Sequence, residues 1–114
     1  MFRFEQLNVY REAISLSRGI YATTKSWPKE EMFGLINQIR RASFSIALNI
    51  AEGTSRGKKE FAHFLDMASG SCYETVACLE IARLNQYVTN TQHETYYNKL
   101  STLSKMISSL KNKL

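Results

Sequence analysis

Residues 33–53, FGLINQIRRASFSIALNIAEG, decide how this chain folds. Read as a helix, they place Leu35, Ile39, Ala42, Ile46 and Ile50 on one stripe, the width that a helix buries against a core. Phe33, Phe44, Leu48 and Ala51 fall near the opposite side, and Ile36 and Ala47 lie between the two. Only a narrow arc is polar, formed by Gln38, Arg41, Ser45, Asn49 and Glu52. A helix this apolar has to be covered on more than one side. A small four-helix bundle buries one stripe of each helix, so the surplus face predicts self-association, with Phe33, Phe44, Leu48 and Ala51 as the oligomer interface.

Working outward, Pro28 suits the first turn of this helix, and Glu30 and Glu31 follow where the helix dipole favours acids, so the spacing predicts a helix over about Lys29–Glu52. Before it, a helix over about Glu5–Thr24 puts Leu7, Tyr10, Ile14 and Tyr21 on one side, widened by Val9, Ala13, Leu16 and Ile20. After it, a long helix over about Lys58–Tyr87 carries the stripe Phe61, Leu65, Ala68, Cys72, Val76 and Leu79. Thr91 and Glu94 stand at capping-box spacing and predict the start of a last helix near Gln92. In that helix Tyr96, Leu100, Leu103, Ile107, Leu110 and Leu114 face inward, while Ser101, Thr102, Lys105, Ser108, Ser109 and Asn112 face out. Short connections make neighbouring helices antiparallel, and the expected fold is all-α: an up-down-up-down four-helix bundle over residues 1–114, assembled into a ring-shaped homo-oligomer.

Composition narrows the class. The 114 residues include 44% apolar ones, too many for a disordered chain, and one domain is what this length supports. No apolar run approaches the ~18 residues of a membrane span. The opening MFRFEQLNVYREA lacks the apolar core of a signal peptide. Cys72 and Cys78 are too few for a disulfide scaffold, point away from each other on one helix and suit a reducing compartment, so a cytoplasmic protein is expected. Fifteen Lys and Arg against ten Asp and Glu give a net charge of +5, which favours an anionic partner such as RNA or DNA without requiring one.

Few residues carry catalytic promise. His63 and His93 lie on different helices and in no metal-ligand spacing, so neither metal nor cofactor is expected. His63 reads as a surface pair with Asp66. The segment GTSRGKKE, residues 53–60, departs from a phosphate-binding P-loop: three residues separate its glycines instead of four, and Lys59 stands where the hydroxyl residue belongs. Two readings survive: a Gly-terminated helix followed by a solvated basic turn, which is the plainer one, or backbone amides at a helix start beside Arg56, Lys58 and Lys59, able to hold a phosphate. Glu60 and Glu74 share a side of the third helix and can meet Arg41, Asn49 and Glu52. Without a nucleophile or a cofactor motif, that cluster reads as a salt-bridge network, and no enzymatic activity is expected.

From Pro28 onward the sequence resembles the four-helix-bundle family encoded by intervening sequences in bacterial 23S ribosomal RNA genes. The likeness is carried by FGLINQIRRA at 33–42, SIALNIAEG at 45–53, Arg56, KEF at 59–61, and ASGS with Glu74; FEQLNVYREAISLSRGIY and LEIARLNQY extend it over nearly the whole chain. The resemblance implies an antiparallel bundle assembled as a homopentamer, with a poorly defined biochemical function. A related branch looks like the accessory proteins of diversity-generating retroelements, whose basic pentameric barrels bind nucleic acid and a reverse transcriptase. The family motif falls on Gln38, Arg41, Ser45, Asn49, Glu52, Gly53 and Arg56, and the first five are the polar arc that the helical spacing defines.

The expected function is therefore non-enzymatic: a self-assembling bundle that binds RNA or other nucleic acid by phosphate contacts through Arg56, Lys58, Lys59, Lys105, Lys111 and Lys113. No aromatic-rich stacking motif is present, so recognition is expected by shape and charge. The alternative is a scaffold that holds a protein partner, such as a polymerase, on the surplus apolar face or in a central channel.

Overall fold

Four helices account for most of the chain in the computed structural model, which describes residues 1–114: α1 (Asn8–Thr24), α2 (Asn37–Gly53), α3 (Lys58–Leu84) and α4 (Asn90–Asn112). No strand is present. Helix α1 packs on α2 and α4, and α3 packs on the same two neighbours, which closes a four-sided bundle of 42 × 23 × 22 Å. Its core runs the length of the bundle, from Ile20, Ile36 and Leu79 through Ile39, Ile46, Cys72 and Leu100 to Ile50, Phe61, Leu65 and Ile107. The expected all-α bundle is therefore present.

Helix α1 is rotated from its expected setting. Its buried stripe is Val9, Ala13, Leu16 and Ile20, while Ile14 and Tyr21 face outward. Two hydroxyl residues explain the rotation, because Ser17 and Thr24 are buried on the same side. The Ser17 Oγ lies 3.0 Å from both the Ala13 and Ser43 carbonyls, tying α1 to α2. Thr24 Oγ1 lies 2.9 Å from the Ile20 carbonyl and accepts a 2.8 Å bond from Arg40 Nε. A hydroxyl that finds a carbonyl can enter a core at little cost, and hydropathy spacing does not register it.

The expected Lys29–Glu52 helix is broken. A 3-10 turn spans Lys29–Glu31 and a π-type turn spans Met32–Ile36, with Gly34 at φ −115°, ψ −112°, outside the helical region. The Glu31 carboxylate accepts from the Leu35 amide at 3.4 Å and so replaces a backbone bond lost at the break. This corner is anchored by Trp27, which is buried 5.6 Å from the Tyr87 ring, and the Tyr87 hydroxyl donates to Glu31 Oε2 at 2.8 Å. The third helix stops at Leu84, three residues before the expected end, because Gln86 turns left-handed at φ 62°. The Tyr87 amide then bonds the Ala82 carbonyl and the Gln86 amide bonds that of Arg83, a Schellman closure. The capping box of α4 belongs to Thr89 and Gln92 rather than Thr91 and Glu94. Leu100, Leu103 and Ile107 are buried as expected.

At the other end of the bundle, α2 and α3 approach closely at Gly53. A Cβ there would stand 2.7 Å from Phe61 Cδ1 and 2.9 Å from Phe64 Cβ, whereas one at Gly57 would meet nothing within 4 Å. Gly53→Ala is expected to destabilise the protein by about 1–3 kcal/mol through overpacking, and Gly57→Ala to change stability by less than about 0.5 kcal/mol. Urea unfolding of the two variants beside the parent checks both values, and equal midpoints for all three would refute the close approach.

Candidate functional site

The up-down course of the helices carries the chain start, the α2–α3 connection and the end of α4 to one end of the bundle. Basic residues far apart in sequence are thereby placed at the same end: Arg56 from the connection, Lys58 and Lys59 from the first turn of α3, and Lys111 and Lys113 from the end of α4. Two contacts tie separate segments together there. Lys111 Nζ lies 2.7 Å from Asp66 Oδ1 of α3, and Arg3 Nη1 donates to the Thr54 carbonyl at 3.3 Å. Arg3 also sits over the Phe61 ring, 5.5 Å from its centroid. Arg3 is not marked in the sequence, because nothing near it in the chain shows that it reaches residue 54. The expected His63–Asp66 pair is absent, since Asp66 is taken by Lys111 across the α3–α4 contact.

These cations are not equivalent. Arg56 is shared between Glu52 and Glu60, each at 3.4 Å, and lies over the Phe64 ring at 5.4 Å. Its charge is largely balanced, and its guanidinium braces the turn that starts α3. With Glu52, Glu60 and Asp66 committed to Arg56 and Lys111, the exposed ammonium groups of Lys58, Lys59 and Lys113 have no carboxylate partner. Lys105 lies about two turns up α4 and does not belong to this end. The opposite end of the bundle is mixed in charge. There the hydrogen bond from Arg83, helped by the charges of Arg83 and His93, holds the Glu80 carboxyl below the usual carboxylate range.

The polar arc of α2 runs along its seam with α3. Gln38 Nε2 donates to Glu74 Oε2 at 3.1 Å, the Ser45 hydroxyl donates to the Arg41 carbonyl at 2.8 Å, and Asn49 Nδ2 donates to the Ser45 carbonyl at 2.9 Å. Arg41 was expected to pair with Glu74 or Glu60. It pairs with neither, since Gln38 holds the first and Arg56 the second. The arc thus holds two local bonds to the α2 backbone, one bond across to α3 and the unpaired Arg41 guanidinium, and it gathers no acid–base couple.

The other half of the α2 exterior is apolar and uncovered. Leu48 is 65% exposed, Phe44 36% and Phe33 96%. Phe44 and Leu48 border a groove of about 570 Å³ against Ile14, Tyr21 and Ala47. Tyr21 stacks on Phe44 at 6.3 Å and carries the Arg40 guanidinium at 4.1 Å on its ring. Phe33 stands apart on the π-type turn, and neither it nor the half-buried Ala51 lines the groove.

Both cysteines are buried and unbridged, and burial pushes the Cys72 thiol up to about 12, which leaves it unreactive near neutrality. No three His, Cys, Asp or Glu side chains are placed to hold a metal ion, and no helix is long and apolar enough to cross a membrane.

No curated protein matches the chain. Among solved structures, it is similar to a protein of unknown function from the S23 ribosomal protein family of Bacteroides thetaiotaomicron VPI-5482, with 25% identity and a TM-score of 0.84 over 91% of this chain and 95% of that one. The model of the 23S rRNA-intervening sequence proteins matches residues 5–109, which takes in all of α1, α2 and α3, the α2–α3 connection with its basic residues, and most of α4. The chain belongs to the 23S rRNA-intervening sequence protein family.

Proposed function

We propose that this protein is a non-enzymatic, self-assembling bundle of the cytoplasm that binds nucleic acid, RNA foremost, through phosphate contacts. The observation that supports the reading is the basic end, where Arg3, Lys58, Lys59 and Lys113 lie in no ion pair, while Glu52 and Glu60 are taken by Arg56 and Asp66 by Lys111. Such an end meets a phosphate backbone as point charges. It reads shape and charge rather than base identity. Assembly strengthens it, since a ring of five copies would multiply a net charge of +5 fivefold in one particle.

Binding of a structured ribosomal RNA fragment and a length-matched DNA duplex, each measured across a range of salt, tests this reading. The logarithm of affinity should fall linearly with the logarithm of salt concentration. Replacing Arg56, Lys58 and Lys59 together by Gln should weaken binding and flatten the slope by about two, since the ion-paired Arg56 contributes less than a full phosphate contact. An unchanged slope would remove the connection from the interface, and absence of binding at low salt would end the nucleic-acid reading.

Self-association is supported by the uncovered pair Phe44 and Leu48, which together with Ile14 and Tyr21 form an apolar surface that a second copy would bury. Leu48→Glu or Phe44→Glu should leave a folded monomer, with unchanged helical circular dichroism and later elution on gel filtration. A variant that elutes with the parent would show that the ring, if any, is built on another face. The same groove favours a second reading, a scaffold that holds a protein partner such as a polymerase. A partner captured on this face should survive nuclease treatment, and nucleic acid alone should not.

A further inference from the structure

The α3–α4 face, on the far side of the bundle from the Phe44–Leu48 groove, carries a feature that the basic end does not explain. A groove of about 370 Å³ runs between these helices over a floor of Cys72, Val76 and Leu100. Two tyrosines border it: Tyr73 from α3, 71% exposed, and Tyr97 from α4, 49% exposed. Tyr97 has the His93 ring beside it, 6.1 Å away and inclined by 28°, and His93 Nε2 lies 3.6 Å from Glu80 Oε1. At Ser104 and Lys105 the groove continues into a second depression of about 470 Å³, lined by Ser108, Ser109, Asn112 and Lys113 and by no apolar side chain. No carboxylate lines either part.

We infer that this trough is a binding site for a single-stranded segment of nucleic acid, with Tyr73 and Tyr97 stacking unpaired bases and Lys105 and Lys113 holding the phosphates that follow. The inference rests on the nucleic-acid reading above and specifies the form of the ligand. Three observations carry it. Tyrosine rings at the water boundary of an apolar groove offer flat faces to any base. The ammonium groups and hydroxyls lie at one end of the groove, where a backbone leaving the stacked bases would pass. The only charged side chains that line the trough are Lys105 and Lys113, which favours an anionic ligand. The trough also runs toward Lys111 and Lys113 at the basic end, so one strand can span both, with paired RNA at the end and unpaired nucleotides along the face.

The test is titration of the full chain with a fluorescein-labelled oligouridylate of about 12 nucleotides and, separately, with an RNA duplex of the same length. Tyr73→Ala and Tyr97→Ala together should weaken oligouridylate binding at least about tenfold and leave duplex affinity unchanged. Tyr73→Phe with Tyr97→Phe should retain parental affinity, because stacking needs the ring and not the hydroxyl. Lys105→Gln with Lys113→Gln should flatten the salt slope for the single strand. Equal oligouridylate affinity in the alanine variant overturns this inference and leaves the phosphate-binding reading standing. Displacement of the oligouridylate by a polyglutamate peptide of equal charge at equal concentration also overturns it, since charge alone would then hold the ligand. Failure of both nucleic acids to bind the parent at low salt overturns the two readings together.

Discussion

Everything in this bundle depends on how α2 is covered. Its inner side is sealed, with Ile39, Ile46 and Ile50 at no measurable exposure, and its outer side is split lengthwise. Toward α3 the exterior is polar, and Gln38, Ser45 and Asn49 satisfy themselves by short bonds along the seam. Toward α1 it is apolar, with Phe44 and Leu48 left in water. Burying a side chain of that size is worth about 1.5–3 kcal/mol. The uncovered half is therefore a standing drive toward a second surface, and in the polar half the bond from Gln38 to Glu74 ties α2 to α3. The close approach at Gly53 completes the arrangement by letting Phe61 and Phe64 seat the start of α3 against the end of α2.

Much of this was legible in the amino-acid sequence, for a physical reason. Long helices repeat their burial pattern many times, so Phe61, Leu65, Ala68, Cys72 and Leu79 announce the α3 core even though single positions deviate. The division of α2 into a core stripe, an apolar exterior and a polar arc was also readable, because each is several residues wide. What escaped were features decided by a single partner. Ser17 and Thr24 are buried because carbonyls and Arg40 wait for them, and that turned α1 away from the side marked by Ile14 and Tyr21. Gly34 breaks the second helix because the Glu31 carboxylate can replace a lost bond. Gln86 adopts a left-handed turn that the sequence Asn85–Gln86–Tyr87 does not advertise.

The candidate site was legible in composition and less so in geometry. The basic residues of the α2–α3 connection and of α4 are plain in the chain, but only the topology shows that they share an end of the bundle with Arg3. Arg56 stands out as a motif residue, yet it is the most neutralised of the set, held by Glu52 and Glu60. The tyrosines of the α3–α4 face were hidden for the opposite reason. Tyr73 and Tyr97 are far apart in sequence and belong to no stacking motif, and they line one groove only because the antiparallel α3 and α4 bring them there. Charge, topology and an uncovered apolar face are the three features of this bundle on which the proposed self-assembly and phosphate binding rest.

Sedimentation equilibrium of the unmodified protein over a range of micromolar concentrations tests the central claim, that the exterior of α2 is covered by further copies of the same chain. The account predicts a mass that is an integral multiple of the 13.1 kDa chain, five for the proposed ring, and constant with concentration. A mass of a single chain throughout that range would contradict it, because the apolar half of α2 would then be stable in water on its own.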